Sequence, residues 1–286
     1  MDLEHFQNGF HRYRKIYAKH SIYDINYLIS FFILFYSLIA CTHVKTGLSA
    51  KSKAETDPVK ISQARMILSA LESQNADLKN FKGIGKIKLW KNGRIHIDER
   101  IAWVGSKPVN ISIAVLISGY PAVKIATDGK WLYYLEAHGD QPIYKKIPSQ
   151  NASLEQIISI PIPAQDIITL LAGRIPIREH HSAFTRENDS GKGPVVVLKK
   201  YWWGIVEKIY IEETSRQVSQ LEFFNRSGTM VYRVILESIT DIEGYRVPFK
   251  LKITNGDGID FELDIQRYWA NVSTTPSMFV LTPPGD

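Results

Sequence analysis

From Phe81 onward the chain alternates between apolar and polar positions. Ile95, Ile97, Ile101 and Trp103 are interleaved with Arg94, His96, Asp98 and Arg100. Val109, Ile111, Ile113, Val115 and Ile117 are interleaved with Asn110, Ser112, Ala114 and Ser118. A period of two is the mark of antiparallel strands with one buried face. Asn92-Gly93 and Asp128-Gly129 fall between such runs and predict hairpin turns. A strand meander is therefore predicted from residue 81 to 147. Strands resume as Val195–Trp203, Glu207–Ile211, Val218–Phe224, Met230–Glu237, Tyr245–Ile253 and Ile259–Tyr268, after a polar loop from Arg186 to Gly193.

Two stretches carry a helical period instead. Ile61, Ala64, Ile67, Leu68 and Leu71 recur at helical spacing, with Asp57 as cap and Pro58 in the first turn. That helix is predicted to end near Asn75. The second stretch opens on Ser153-Leu154-Glu155-Gln156, a capping-box pattern, and runs through Ile160-Pro161-Ile162-Pro163. It continues into Ala164–Ala172, where Ile167, Ile168, Leu170 and Leu171 give a broad apolar face and Gly173 supplies a stop. No strand is followed by the crossover helix a parallel sheet needs. The predicted fold is mainly β: a single unclosed antiparallel barrel of about eleven strands, with helices packed on its open side as a lid.

A curved sheet of that size must close, stack or enclose something. Its inward face predicts an apolar cavity lined by Ile97, Ile101, Trp103, Ile111, Ile113, Val115 and Ile125, with Leu170 and Leu171 contributed by the lid. The bland alternative is an ordinary core in which side chains fill all the space. An apolar cavity under helices suits an acyl chain, since each buried CH2 gains about 0.8 kcal/mol.

The N-terminus changes the compartment. A short apolar run, Leu28 to Ala40, follows Arg12, Arg14, Lys15 and Lys19 and ends at Cys41, the single cysteine. Leu38-Ile39-Ala40-Cys41 reads as a lipobox. Residues 1–40 are then a signal peptide, Cys41 is the lipidated mature N-terminus, and 41–57 form a flexible tether to a domain at 58–286. The run is too short for the ~20 residues of a spanning helix.

The net charge of +6 is mild, and the Lys and Arg residues build no stripe for nucleic acid. Chemical motifs are sparse. Gly83-x-Gly85 is a fragment of a nucleotide fingerprint without the third glycine or the helix. Glu179-His180-His181 lacks a third ligand at diagnostic spacing. Glu212-Glu213 sits among polar positions, and there is no Gly-x-Ser-x-Gly elbow. Trp202-Trp203, read as strand neighbours, would face opposite sides. No catalytic residue, metal or cofactor is expected.

These features together resemble the outer-membrane lipoprotein receptor (LolB) family and the wider LolA carrier superfamily. The resemblance rests on the lipobox, the amphipathic helix after it, the Leu78–Trp90 strand and the Leu154–Pro163 segment with Asp166–Gly173 and Ile175-Pro176. It implies a non-enzymatic, monomeric protein on the periplasmic face of the outer membrane. Its partners would be the acyl chains of lipoproteins or other lipids, a LolA-like carrier, and the inner leaflet through the Cys41 lipid. It also implies a membrane-contact loop at Gly119-Tyr120-Pro121, where Tyr120 stands near the place of the family's leucine. The other reading on the same fold is an envelope sensor or assembly scaffold that binds a protein partner.

Overall fold

The structure is a computed structural model, and it describes residues 53–106, 109–137, 142–149, 155, 160–188, 191 and 193–284. The expected signal peptide, Cys41 and the tether up to residue 52 lie outside the described residues, as do Ser153, Leu154 and Gln156 of the expected capping box.

Helix α1 (Lys53–Thr56) is one turn long, and α2 (Pro58–Ser73) follows it. The backbone N–H of Val59 donates to the Asp57 carboxylate at 2.9 Å, and Pro58 occupies the first turn. Both features were expected. The last residues of the expected tether therefore form a helical turn.

Among the described residues thirteen strands form one antiparallel sheet, against about eleven expected. Strands β1 (Asn80–Lys91), β2 (Arg94–Ser106), β3 (Asn110–Ile117), β4 (Tyr120–Thr127), β5 (Trp131–Glu136) and β6 (Ile143–Pro148) make the first meander. Helix α3 (Ala164–Leu171) intervenes. Strands β7 (Ser182–Glu187), β8 (Pro194–Lys200), β9 (Gly204–Ile211), β10 (Val218–Phe224), β11 (Met230–Ile242), β12 (Tyr245–Thr254) and β13 (Ile259–Ala270) make the second. The sheet runs β6-β5-β4-β3-β2-β1-β13-β12-β11-β10-β9-β8-β7, so the two meanders are wings joined where β1 pairs with β13. With β6 and β7 as its edges the sheet is unclosed.

Strand β7 was the least visible element. Arg186 and Glu187, its polar end, fell in the stretch expected to be loop. Its free edge is covered rather than polar. Ala54 and Ile61 pack with Phe184, Val195 and Val197, while Ala64, Leu68 and Leu71 of α2 join the main core. Covering an edge in this way removes a template for pairing with another chain. It also explains why Val195-Val196-Val197-Leu198 does not alternate, since all four are buried.

The first meander is built on close approach at glycines. A Cβ on Gly83 would lie 2.1 Å from the Trp103 ring, and one on Gly105 would lie 2.3 Å from the Phe81 ring. Gly83 and Gly85 thus serve packing within β1 and not a nucleotide loop. Hairpins at Asn92-Gly93 and Glu243-Gly244 use two consecutive residues at positive φ. That conformation matches the twist of the flanking strands.

Two local expectations are corrected. Strand β8 ends at Lys200, and Tyr201–Trp203 form a turn, so the opposite-face reading of Trp202 and Trp203 does not apply. The β3–β4 turn is Ser118-Gly119 alone, at φ 52° and 87°, so Tyr120 and Pro121 begin β4 instead of lying in the loop.

Candidate functional site

The inner face of β1–β5, β12 and β13, together with α3, encloses an apolar cavity of about 300 Å³. This is at the low end of the volumes that hold small ligands. Ile97, Ile101 and Trp103 of β2 line it, with Ile113 and Val115 of β3 and Ile125 of β4. Leu170 and Leu171 of α3 close one side, joined by Ile167. Eight of the nine residues expected to line a cavity are therefore brought together. The ninth, Ile111, is buried in the core but lies outside the lining. It pairs with Gly105 near the opposite end of β3, where the Phe81 ring fills the space.

The lining also recruits Ile87, Leu251, Ile253, Phe261 and Leu263. Their strands meet at the β1–β13 seam, a pairing that the linear sequence does not announce.

One inward polar residue was missed. The period of two that turns Ile97 and Ile101 inward carries Glu99 with them, and Glu99 lines the cavity next to Ile87 and Ile117. The wall is therefore apolar with a carboxylate near one end, where His96 and Asp98 also contribute. Asp98 is held by Lys86 at 2.7 Å.

Helix α3 is fixed at both ends. At its start, Asp166 is buried and accepts two bonds from the Arg178 guanidinium, one of them at 2.9 Å from Nη1. The Tyr232 hydroxyl donates to the same carboxylate and accepts from Arg178 Nη2 at 2.7 Å. The Arg178 guanidinium also lies 4.5 Å from the Phe223 ring centroid. At the far end, the Asn75 amide donates to the carbonyls of Ala172, Gly173 and Arg246 at 3.0, 3.1 and 2.8 Å. A Cβ on Gly173 would lie 2.1 Å from the Arg246 carbonyl oxygen, so glycine is required for this contact as well as for its φ of +66°.

Glu207 of β9 lies beside this cluster. It is fully buried, accepts from the backbone N–H of Arg178 at 2.8 Å through Oε2, and leaves Oε1 without a partner. Burial pushes its carboxyl up to about 8, against the lowering effect of Arg178. The carboxyl is therefore largely neutral at pH 7. The alternation Glu207, Ile209, Ile211 was the signal that could have placed it inward.

The remaining motifs have structural partners. Lys200 binds Glu179 at 2.5 Å, His180 contacts the Arg178 carbonyl, and His181 lies tilted against the Tyr201 ring. Among the described residues no three His, Cys, Asp or Glu side chains group as metal ligands would. Among them also, no helix is long and apolar enough to cross a membrane. Glu212 and Glu213 are exposed. Tyr120 is 78% exposed at the rim.

Comparison with known proteins shows the fold. No family model matches the chain, and no curated protein matches its sequence. Three solved structures superpose on about three quarters of it. A domain from Vibrio parahaemolyticus, named for outer membrane lipoprotein sorting, is 10% identical with a TM-score of 0.53, covering 77% of this chain and 97% of its own. A LolA superfamily protein from Nitrosomonas europaea is 16% identical with a TM-score of 0.53, over 76% and 97%. A DUF1329 family protein from Desulfovibrio piger is 8% identical with a TM-score of 0.54, over 77% and 97%. The chain has the LolA-like fold. The open barrel and helical lid expected from the resemblance are what the structure contains.

Proposed function

We propose that this protein is an envelope lipid carrier. It holds an acyl chain in the cavity beneath α3 and passes it to a membrane to which Cys41 anchors it. The observation that carries this reading is the cavity itself. Its wall is contributed by seven strands and a helix, and almost every lining side chain is aliphatic or aromatic. A core that filled its own space would leave no such volume, because interiors close to crystal density. An acyl chain is the ligand that needs apolar wall and little else. The LolA-like fold of the neighbours supports the same reading, and two of them are named for lipoprotein sorting or for that superfamily.

Tyr120 belongs to this proposal as the residue that touches the receiving bilayer. It begins β4 three residues after Ile117, which lines the cavity, so cavity and tip share one end of the sheet. Anchoring at the outer membrane, a soluble LolA-like donor and lipoproteins as cargo complete the reading.

Native mass spectrometry of the full chain, released from its own membranes, tests it. We expect a non-covalent acyl lipid in addition to whatever Cys41 carries. Tyr120→Glu should retain that lipid and slow its transfer to vesicles, since a charge opposes entry into the interface. A protein that carries no lipid, and takes none up from vesicles, would favour a scaffold on the same fold.

A further inference from the structure

The turn between β8 and β9 presents a residue that neither its backbone nor its packing accounts for. Trp202 is fully exposed and sits at φ +64°. A bulky side chain in the left-handed region is an outlier that glycine or asparagine would avoid. Its neighbours are held in place. The Trp203 ring has the Arg226 guanidinium at 4.1 Å and Lys200 Nζ at 5.0 Å from its centroid. The Tyr201 ring lies tilted against His181 with centroids 4.1 Å apart, and the Trp203 backbone N–H closes the turn on the Lys200 carbonyl at 3.2 Å. The result is a rigid turn that displays one tryptophan.

The turn's place in the sheet suggests the surface that receives it. In an antiparallel sheet successive turns alternate between two rims. The β1–β2, β3–β4, β8–β9, β10–β11 and β12–β13 turns therefore share one rim. Trp202 and Tyr120 are on the same rim, one on each wing, and Tyr120 adjoins the end of the cavity lined by Ile117. Tryptophan is favoured at the level of lipid headgroups. Arg226, set against the next ring, supplies a cation for an anionic surface, whereas Lys200 is already paired with Glu179.

We propose that Tyr201-Trp202-Trp203 is a bilayer-contact tip that inserts Trp202 among the headgroups of an anionic leaflet. With Tyr120 it gives the rim two points of contact, one on each wing, which would orient the cavity end toward the membrane. This contact does not require the cavity to be filled, so its failure and the failure of the carrier reading are distinguishable.

Tryptophan quenching by brominated lipids reads the contact directly. The full chain is reconstituted in vesicles containing anionic phospholipid brominated near the headgroup end of its chains. The chain has 6 tryptophans, so insertion of Trp202 alone should quench about one sixth of the emission. Trp202→Phe should remove that component, and Arg226→Gln with raised salt should weaken it. Equal quenching of wild type and Trp202→Phe, or none in either, would overturn the proposal and leave the tip to a protein partner.

Discussion

The two wings of the sheet treat their inner faces differently. Under β1–β5, continued across the seam by β12 and β13, the inner face is mostly apolar and leaves a cavity. Under β9–β11 it carries Glu207, Phe223 and Tyr232, which meet Asp166 and Arg178 in a buried polar cluster. Helix α3 lies between them. Ile167, Leu170 and Leu171 line the cavity, while Asp166 is tied to the other wing. One wing is left hollow, and the other holds the helix that roofs it. Bonds at both ends of α3 hold it in place beside the cavity.

The largest effect that could break this contrast is loss of the tie. Asp166→Ala leaves Arg178 and Tyr232 without their shared acceptor. Breaking a buried pair costs about 3–5 kcal/mol, and the low end applies because Arg178 keeps some solvent contact. We expect a drop of about 3 kcal/mol in denaturant unfolding. A change below about 0.5 kcal/mol would mean that α3 is held by its apolar face alone.

A second effect, set apart by its pH dependence, is expected at Glu207. The folded protein keeps this proton up to about pH 8, whereas an unfolded carboxyl releases it near 4.5. Between those values the native state binds more protons, so stability falls as pH rises, by at most about 1.4 kcal/mol per unit. Glu207→Gln should match wild type near pH 5 and exceed it near pH 8. Parallel pH profiles for the two proteins would show that Glu207 is ionised in the fold.

Much of the hollow wing was legible in the sequence, because alternation is a local signal. Ile97, Ile101, Ile113 and Val115 read as inward from their own strands, and they are inward. Glu99 obeyed the same alternation and was passed over as polar. The filled wing was harder to read. Asp166, Arg178, Glu207 and Tyr232 lie up to 66 residues apart and meet only through the sheet order. Nothing in a charged residue's own sequence neighbourhood says that a partner waits inside. Trp202 was misread for a related reason: an aromatic run looks like strand until a positive φ breaks it.

The cavity's occupancy is tested most directly by photocrosslinking with a diazirine-bearing fatty acid added to membranes holding the full chain. Val115 lines the cavity and is only half-buried, so Val115→Trp should fill the space with little loss of stability. We expect wild-type adducts on peptides carrying Ile113, Val115 or Leu170, and their loss in Val115→Trp. Adducts confined to residues outside the cavity, or unchanged in Val115→Trp, would contradict a lipid-holding cavity.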